Sequence, residues 1–351
     1  MGLRDYIIRR ILLLIPVVFG VVILVFAIIQ LVPVNSRVAV FVSSGNPKEL
    51  RPEVIQALIH ENGLDQPVWV QFRNWLDDML HGNFGYSEVW NSPVLPDLIK
   101  RAPATAEIVI ISAPIIIFVG IFLGVVSATH RDKPLDHASR VISILGTSLP
   151  SFFFGVILSA IFIAQLGWVS TGRLSYTLEG QLLVDQSIGR YKAYTGFLLI
   201  DTLLNGRYLY FVDALKHLIL PATVLVFIQT AVLVRVTRSS MLEALSKTYI
   251  VAARAKGLSN KEVINKHARK NALIPVVTLS GLMVGGMMTG LIITETIFRF
   301  PGLGNWAARS AQLFDMPVVA CYAMFSAIVF VLANLIVDIL YAYLDPRIRL
   351  G

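Results

Sequence analysis

Six long apolar segments constrain the fold of this chain more than any other feature of its sequence. A helix needs about 20 mostly apolar residues to cross a bilayer core. The segments that meet this length are Ile11–Val32, Ala106–Thr129, Val141–Gln165, Leu218–Val234, Leu273–Ile293 and Val318–Leu340. Only 15% of the residues are charged, too few to cover the surface of a soluble domain, in which about 25% are charged. We therefore predict an all-α polytopic membrane protein with six transmembrane helices.

The lysines and arginines of the connecting segments indicate how these helices are oriented. With the N-terminus inside, the internal segments carry 17 of the 30 basic residues and six acidic ones, whereas the longer external segments are slightly acidic. Cytoplasmic loops are enriched in basic residues, so we expect both termini in the cytoplasm. The net charge of +8 is mostly this asymmetry, which indicates contact with membrane lipid and no nucleic-acid partner.

The connections divide the chain into three parts. Residues 1–32 form the cytoplasmic N-terminus and the first helix. This helix is a retained anchor, because its apolar run is longer than that of a signal peptide and no cleavage site follows. Residues 33–105 form an extracytoplasmic region, and residues 106–351 hold the other five helices. The last part includes an extracytoplasmic loop at 166–216, whose fold the sequence does not indicate, and a cytoplasmic loop at 235–272.

The extracytoplasmic region 33–105 contains two amphipathic helical patterns. One covers Pro52–Glu61, and the next runs from Asp65 to Leu80 with a proline in its first turn. The second pattern has an apolar stripe that includes two tryptophans, which favour the depth of a membrane interface. These helices lie on the outer membrane surface or, alternatively, line a vestibule that receives solute.

The cytoplasmic loop 235–272 carries a compact helix–turn–helix pattern. Tyr249–Lys256 is rich in good helix formers, Gly257 occupies the position of a left-handed C′ residue, and Leu258 supplies the following hydrophobic contact. Ser259 and Glu262 then form an S-x-x-E capping box that starts a second helix. The pattern exposes the pair Ala252 and Ala253 and the basic residues Arg254 and Lys256 on one small protruding element. This arrangement indicates a docking element rather than an ordinary basic loop.

The segment Ala252–Gly257 resembles the "EAA" loop of ABC-importer permeases, which inserts into a groove on a cytoplasmic ATPase. Val251 replaces the glutamate that gives the loop its name, and Pro275 follows Gly257 at an extended spacing. Both departures are similar to the form in dipeptide and oligopeptide permeases, where Ala-Arg-Ala-Lys-Gly leads to His-Ala-x-x-Asn-Ala-x-x-Pro. Other stretches that resemble these permeases, in order along the chain, are His81–Ser87, Ser148–Phe152, Thr195–Thr202, His217–Pro221, Arg238–Leu242, Thr294–Phe298, Phe300–Asn305 and Asp345–Arg349.

This resemblance implies the architecture of a type I ABC importer permease in the inner membrane, and the B-type subunit of a dipeptide system. It also implies a heterodimer with a second, C-type permease, two cytoplasmic ATPase subunits and an extracytoplasmic substrate-binding protein. ATP and magnesium would bind to the ATPases, so we expect no enzymatic activity and no cofactor in this chain. The residues implied to couple it to the ATPases are Ala252, Ala253, Arg254, Ala255, Lys256, Gly257, Leu258, Ser259 and Glu262.

The sequence contains no G-x-x-x-x-G-K-[ST] motif, so the energy for transport comes from a partner or from an ion gradient. An ion-coupled secondary transporter would place carboxylates at mid-membrane, but Glu107, Glu295 and Asp338 all lie near the ends of the predicted helices. Asn334 and Asp338 share a helix face and predict a structural polar pair. Dipeptides or short oligopeptides are the expected solutes, with oligosaccharides or other small solutes as the alternative.

The fifth apolar segment carries closely spaced glycines and methionines. Glycines four residues apart let helix backbones approach each other, which is the structural interpretation of Gly281-x-x-x-Gly285 and Gly286-x-x-x-Gly290. The functional interpretation is that this helix lines the solute pathway. The pathway candidates are Met283, Gly286, Met287, Gly290 and Glu295. Cys321 is a lone cysteine in an apolar run, and no cysteine or histidine cluster has metal-ligand spacing.

Overall fold

The computed structural model of the protein describes residues 3–38 and 51–344, and these residues are mostly helical. The first helices are α1 (Leu3–Gln30), α2 (Val34–Arg37), α3 (Pro52–Glu61), α4 (Val68–Leu80), α5 (Val94–Thr129), α6 (Pro134–Ser148), α7 (Ser151–Leu158) and α8 (Tyr176–Ser187). They are followed by α9 (Leu198–Leu204), α10 (Tyr208–Leu245), α11 (Thr248–Ala255), α12 (Asn260–Glu262), α13 (Arg269–Met288), α14 (Ile292–Ile297), α15 (Leu303–Gln312) and α16 (Met316–Leu344). Two short antiparallel strands, β1 (Tyr86–Ser87) and β2 (Ser92–Pro93), precede α5.

Helices long and apolar enough to cross a membrane account for most of the described chain. Five meet this test: α1, α5, α10, the continuous stretch Asn260–Met288 that contains α13, and α16. The bent pair of α6 and α7, the latter extended by π-helical turns to Gln165, is a broken span or a re-entrant loop, and it makes a sixth crossing if the pair is one span. The prediction of an all-α polytopic protein is therefore confirmed.

The third predicted segment, Val141–Gln165, is not one straight helix. Its two halves meet at an angle of 97°, because Leu149 adopts an extended conformation with φ −78° and ψ 121°. Proline disfavours helical geometry in the residue before it, and Pro150 therefore ends α6. The sequence Ser148-Leu-Pro-Ser-Phe152 encodes a sharp turn within the membrane region.

Two other helix boundaries differ from the sequence prediction. Helix α5 begins at Val94 rather than Ala106, so the division drawn between residues 105 and 106 falls inside a helix. The fifth crossing ends at Met288 rather than Ile293, because Gly290 has a φ of +121° and turns the chain. A side chain there would approach the Tyr322 hydroxyl at 2.9 Å and the Gly304 backbone nitrogen at 3.0 Å.

The membrane helices pack around α10. Helix α10 lies along α5, α6 and α13, and α16 packs on α1 and α13. The main apolar core joins Ile108 and Ile116 of α5 with Leu225 and Leu233 of α10 and Val276 of α13. This packing holds α10 rigidly from the loop before it to the loop after it.

Helix α4 packs against the chain's own membrane helices. Phe72 contacts Phe26 of α1 edge-to-face at a centroid distance of 5.1 Å, and Trp75 lies 5.4 Å from the same ring. Trp69, predicted in the same apolar stripe, is 70% exposed. The amphipathic helix is therefore held on the ends of α1 and α16, and its bounds and those of α3 agree with the sequence prediction to within three residues.

The loop 166–216, whose fold the sequence did not indicate, is built on two buried carboxylates. Asp201 accepts hydrogen bonds from the backbone nitrogens of Thr195 and Gly196, both at 2.9 Å. Glu107 of α5 accepts one from the Leu199 backbone nitrogen at 2.8 Å and pairs with Arg173 at 2.5 Å. The stretch Thr195–Thr202 is thus a carboxylate-centred turn, and the loop is tied firmly to α5.

Candidate coupling site

Helix α11 is closed by the glycine turn that the sequence predicts. Gly257 has a φ of +77°, and its backbone nitrogen donates to the Arg254 carbonyl at 2.9 Å. The Leu258 nitrogen donates to the Ala253 carbonyl at 3.4 Å. These two bonds are those of a Schellman motif, which satisfies the last carbonyls of α11 and reverses the chain at a fixed residue.

The capping box that starts the next helix is also present. The Ser259 hydroxyl accepts from the Glu262 backbone nitrogen at 3.3 Å, and the Glu262 carboxylate accepts from the Ser259 backbone nitrogen at 3.4 Å. Lys266 adds an exposed ion pair to Glu262 at 3.2 Å. Helix α12 then continues through π-helical turns, Val263–Ala268, into α13 without interruption. Helix α11 is therefore joined by one short turn to a membrane-crossing helix.

One face of α11 is buried in the chain's own core. Ile250 is fully buried and Ala253 is 6% exposed. They belong to a cluster, which we call the α11 root, with Met241 of α10, Val263, Ala128 of α5, Ala244, Ala268 and Ala272. Leu258 packs partly buried against it. The prediction that Ala252 and Ala253 are displayed together is corrected, because Ala253 points inward.

The opposite face of α11 is open and partly apolar. Val251 is 64% exposed and Tyr249 is 39% exposed. Of the predicted coupling residues, Ala252, Arg254, Ala255, Lys256, Gly257 and Ser259 are also exposed, and Glu262 is half-buried. Helix α11 is thus packed into the core on one face and exposes a valine, a tyrosine and two basic residues on the other. Such a surface is suited to bind another protein.

A buried ion pair ties α10 to α6 close to the α11 root, and sequence reasoning missed it. The fully buried Asp136 accepts from Arg238 at 2.7 Å and 2.9 Å, a bidentate pair. Ser127 of α5 donates to the same carboxylate at 2.6 Å, and the Asp132 backbone nitrogen donates at 3.0 Å. The stretch Arg238–Leu242, noted only for its resemblance, holds one member of the pair, and its partner lies 102 residues away.

The pathway candidates do not form one surface in this conformation. Met283 is half-buried and Gly286 is exposed, whereas Met287 is 3% exposed and packs in the main core. Gly290 lies at the chain turn after α13. Glu295 is fully buried. Among these candidates only Gly286 lies on the exposed side of α13, and Met283 packs half-buried against the main core.

The three carboxylates considered for ion coupling all have partners. Glu295 accepts from the Thr105 hydroxyl at 2.7 Å and the Asn305 backbone nitrogen at 2.9 Å, which fixes α14 and α15 against α5. Glu107 holds the loop described above. Asp338 pairs with Arg10 of α1 at 2.9 Å; the hydrogen bond expected from Asn334 is replaced by this ion pair. Each of these contacts is structural.

The described residues contain no group of three or more histidine, cysteine or carboxylate side chains arranged to hold a metal ion. The stretch Asp345–Arg349, which contributes to the resemblance, lies outside the described residues.

Comparison with known proteins gives consistent matches along the chain. A family model described as the binding-protein-dependent transport system inner membrane component matches residues 120–350, and its N-terminal companion matches residues 3–109. The di/tripeptide transport system permease protein DppB of Pseudomonas aeruginosa (strain UCBPP-PA14) is 40% identical over 351 residues, covering 98% of both chains. The dipeptide transport system permease protein DppB of Escherichia coli (strain K12) is 40% identical over 345 residues, again covering 98% of both. The oligopeptide transport system permease protein AppB of Bacillus subtilis (strain 168) is 36% identical over 354 residues, covering 99% of this chain and all of the relative.

Proposed function

The chain belongs to the family of inner membrane components of binding-protein-dependent transport systems. From this membership we propose that α11 couples the permease to partner ATPases. It is a multi-pass inner membrane protein and the permease subunit of an ABC importer for peptides, of the dipeptide permease B type. The coupling role of α11 is supported most directly by one observation. The helix is buried on one face in the α11 root and exposes apolar and basic side chains on the other.

The partners that complete this proposal are a second, C-type permease, two cytoplasmic ATPase subunits and an extracytoplasmic binding protein. The absence of a P-loop motif from the sequence supports separate ATPase subunits, which would also carry ATP and magnesium. In the proposed orientation both termini are cytoplasmic. The face of α11 that contains Val251 and Arg254 then points toward the cytoplasm, where an ATPase would cover it.

Motion of α11 reaches the membrane through two short connections. At its N-terminal end, α11 is separated from α10 by two residues. At its C-terminal end, the turn at Gly257 leads into the continuous helix that contains α13. The α11 root packs side chains from both connections around Ile250. A displacement of α11 by closing ATPases would therefore carry α10 and α13 with it as a unit.

The proposed cycle is a linkage between two conformations of the permease pair. ATP binding closes the ATPases, and the spans rock from an inward-facing to an outward-facing state. The solute leaves the docked binding protein, enters between the two permeases, and is released inward after hydrolysis. Because coupling is a difference in free energy between two states, it depends on a rigid joint between α11 and the membrane helices.

Dipeptides or short oligopeptides are the proposed solutes, and the half-buried Met283 and the exposed Gly286 of α13 are the proposed contacts on their path. Methionine side chains adapt to varied surfaces, which suits a pathway for peptides of different sequence. Selection among peptides, or between peptides and other small solutes, would rest mainly with the binding protein.

The test of this proposal is Gly257→Val in the assembled transporter. A side chain at positive φ costs roughly 1–2 kcal/mol, and the branched side chain also alters the surface that meets the ATPase. We expect weaker ATPase copurification and at least about a fivefold loss of ATP hydrolysis stimulated by peptide-loaded binding protein, since coupling free energies between sites are typically about 1–3 kcal/mol. The measurement is stimulated ATPase activity of the complex in proteoliposomes.

The matched control is Gly189→Val. Gly189 also has a positive φ, +72°, and the space around its Cβ position is open, as it is at Gly257. It lies in the loop 166–216, on the opposite side of the membrane in the proposed topology. The two substitutions carry the same backbone strain, so only the Gly257 variant should lose stimulation. Normal docking and normal stimulation in Gly257→Val would show that α11 is not the coupling element.

A further inference from the structure

A cavity of about 210 Å³ lies between α4 and the adjoining ends of α1 and α16. Its wall on the membrane-helix side is mainly apolar and includes Phe26, Ile29, Trp75, Ala320 and Cys321. Its polar wall includes Arg37, Gln30, Gln71, Asn74 and Asp78. The coupling function described above does not use this cavity.

Arg37 is a buried cation without a counter-ion within the described chain. Its side chain is nine-tenths buried, and Nη1 donates to the amide oxygens of Gln30 at 2.8 Å and Gln71 at 3.1 Å. Its Nε is buried and has no hydrogen-bond partner. No carboxylate of the described residues lies within ion-pairing distance of it. Two neutral amides therefore hold the guanidinium in place, and among the described residues the acidic group of the cavity wall, Asp78, forms no ion pair with it.

A buried charge without an opposite charge is costly, so the site is suited to an anion. The guanidinium group binds phosphate and carboxylate oxygens through paired hydrogen bonds, and the free Nε is one of the donors available for such a pair. The wall on the membrane-helix side is apolar, which favours a ligand that combines an anionic group with a hydrocarbon part.

The position of the cavity identifies the source of such a ligand. Gln30 is the last residue of α1, and the outward side of α1 consists of exposed apolar residues such as Leu24 and Ile28, as expected of a helix that faces lipid. A chain leaving the cavity along α1 would enter the bilayer. The anionic group would lie in the cavity, and the hydrocarbon would lie in the membrane.

We propose that this cavity binds the phosphate of an anionic phospholipid, with Arg37 as the phosphate ligand and an acyl chain along α1. Gln30 and Gln71 position the guanidinium, and Phe26, Ile29 and Trp75 contact the hydrocarbon. The bound lipid joins α1, α4 and α16 at one end of the bundle.

The experiment measures lipid retention by the full transporter complex. The purified complex is delipidated, incubated with dioleoyl phosphatidylglycerol or with inorganic phosphate, and examined by native mass spectrometry. We expect the complex to retain phosphatidylglycerol, and Arg37→Gln to weaken retention by about tenfold or more, the factor expected when a hydrogen bond to a charged group is lost. The matched control is Arg73→Gln, which removes an exposed arginine from α4 and should leave retention unchanged.

A second readout at the site itself is Asn74→Cys with Cys321, the only native cysteine, replaced by alanine, because Asn74 lines the cavity and is exposed. Phosphatidylglycerol should slow alkylation of the introduced thiol by N-ethylmaleimide, followed by peptide mass mapping, and inorganic phosphate should not. If Arg37→Gln fails to assemble, Ala320→Val narrows the apolar wall without touching Arg37 and should also reduce retention and protection.

Three results would overturn the proposal. Equal losses of retention in Arg37→Gln and Arg73→Gln would mean a general effect of surface charge. Protection of the Asn74→Cys thiol by inorganic phosphate but not by phosphatidylglycerol would mean an anion site that takes no lipid. Unchanged retention in both Arg37→Gln and Ala320→Val would mean that lipid binds elsewhere.

Discussion

Two adjacent glycines of α13 have opposite surroundings. A Cβ atom at Gly285 would collide with the Cβ atom of Ala333 on α16, whereas a Cβ atom at Gly286 would meet open space. Gly281, one turn earlier, is equally close to Val337 of α16. The first glycine pair of α13 therefore lets two helices approach, as small residues do in membranes, and Gly286 lies on the free side of the helix.

This contrast predicts opposite effects of two single substitutions. Gly285→Ala should destabilise the complex by about 1–3 kcal/mol, because it overpacks the contact with α16. Gly286→Ala should be neutral or stabilising by roughly 0.5–1 kcal/mol, since alanine favours a helix interior over glycine. Thermal unfolding of the purified complex measures both. Equal destabilisation by the two substitutions would contradict the assignment of their faces, and with it the proposal that Gly286 faces the solute path.

At the scale of elements, the pair of Asp136 and Arg238 is the clearest link between the membrane helices and the coupling site. It joins the start of α6 to the last third of α10, and Ser127 adds α5 to the same carboxylate. Arg238 lies two turns before the end of α10, next to the residues that form the α11 root. We expect this cluster to keep α5, α6 and α10 together when α11 moves.

The two residues of this pair should not contribute independently to stability. Asp136→Asn leaves Arg238 without its buried counter-ion and should lower stability by about 3–5 kcal/mol. Arg238→Met should cost less, about 1.5–3 kcal/mol, because Asp136 keeps Arg140 and Ser127 as partners. The double variant should lose less than the sum, by roughly 0.5–3 kcal/mol. Arg140→Met is the control: Arg140 lies 3.3 Å from the same carboxylate but is 39% exposed, so its loss should cost below about 1 kcal/mol. Additive losses in thermal unfolding of the complex would show that the pair does not act as a unit.

The elements that could be predicted from the sequence are those with local causes. The helix before Gly257, its glycine turn and the capping box at Ser259 depend on residues within a few positions of each other, and all three are present. The break at Pro150 has an equally local cause. Because the residues on both sides of it are apolar, the sequence pattern predicts one continuous helix there instead of two.

Contacts between distant parts of the chain could not be predicted in the same way. The inward position of Ala253 depends on where α5 and α13 pack. The pairing of Asp338 with Arg10 joins the two ends of the chain. One sequence contains no signal for such pairings, so the sequence predicts only a partner on the same helix for Asp338, which is Asn334.

For the whole molecule, the charge distribution predicts which side of the membrane each loop occupies. With Cys321 replaced by alanine, Ser187→Cys should react with a membrane-impermeant maleimide added to intact cells. Lys261→Cys should react only after the cells are permeabilised, because the basic loop 235–272 is placed in the cytoplasm. Both positions are exposed, unlike Ser87, which is fully buried. Labelling of the Lys261 variant in intact cells would reverse the topology.

The central claim is that this permease moves peptides by coupling to ATP hydrolysis on its partners. Uptake of a labelled dipeptide into proteoliposomes that contain the full complex tests it most directly, with ATP and a proton ionophore varied independently. The account predicts uptake that requires both ATP on the α11 side and peptide-loaded binding protein, and that continues when the ionophore collapses the pH gradient. Uptake that proceeds without ATP and follows an imposed pH gradient would contradict it.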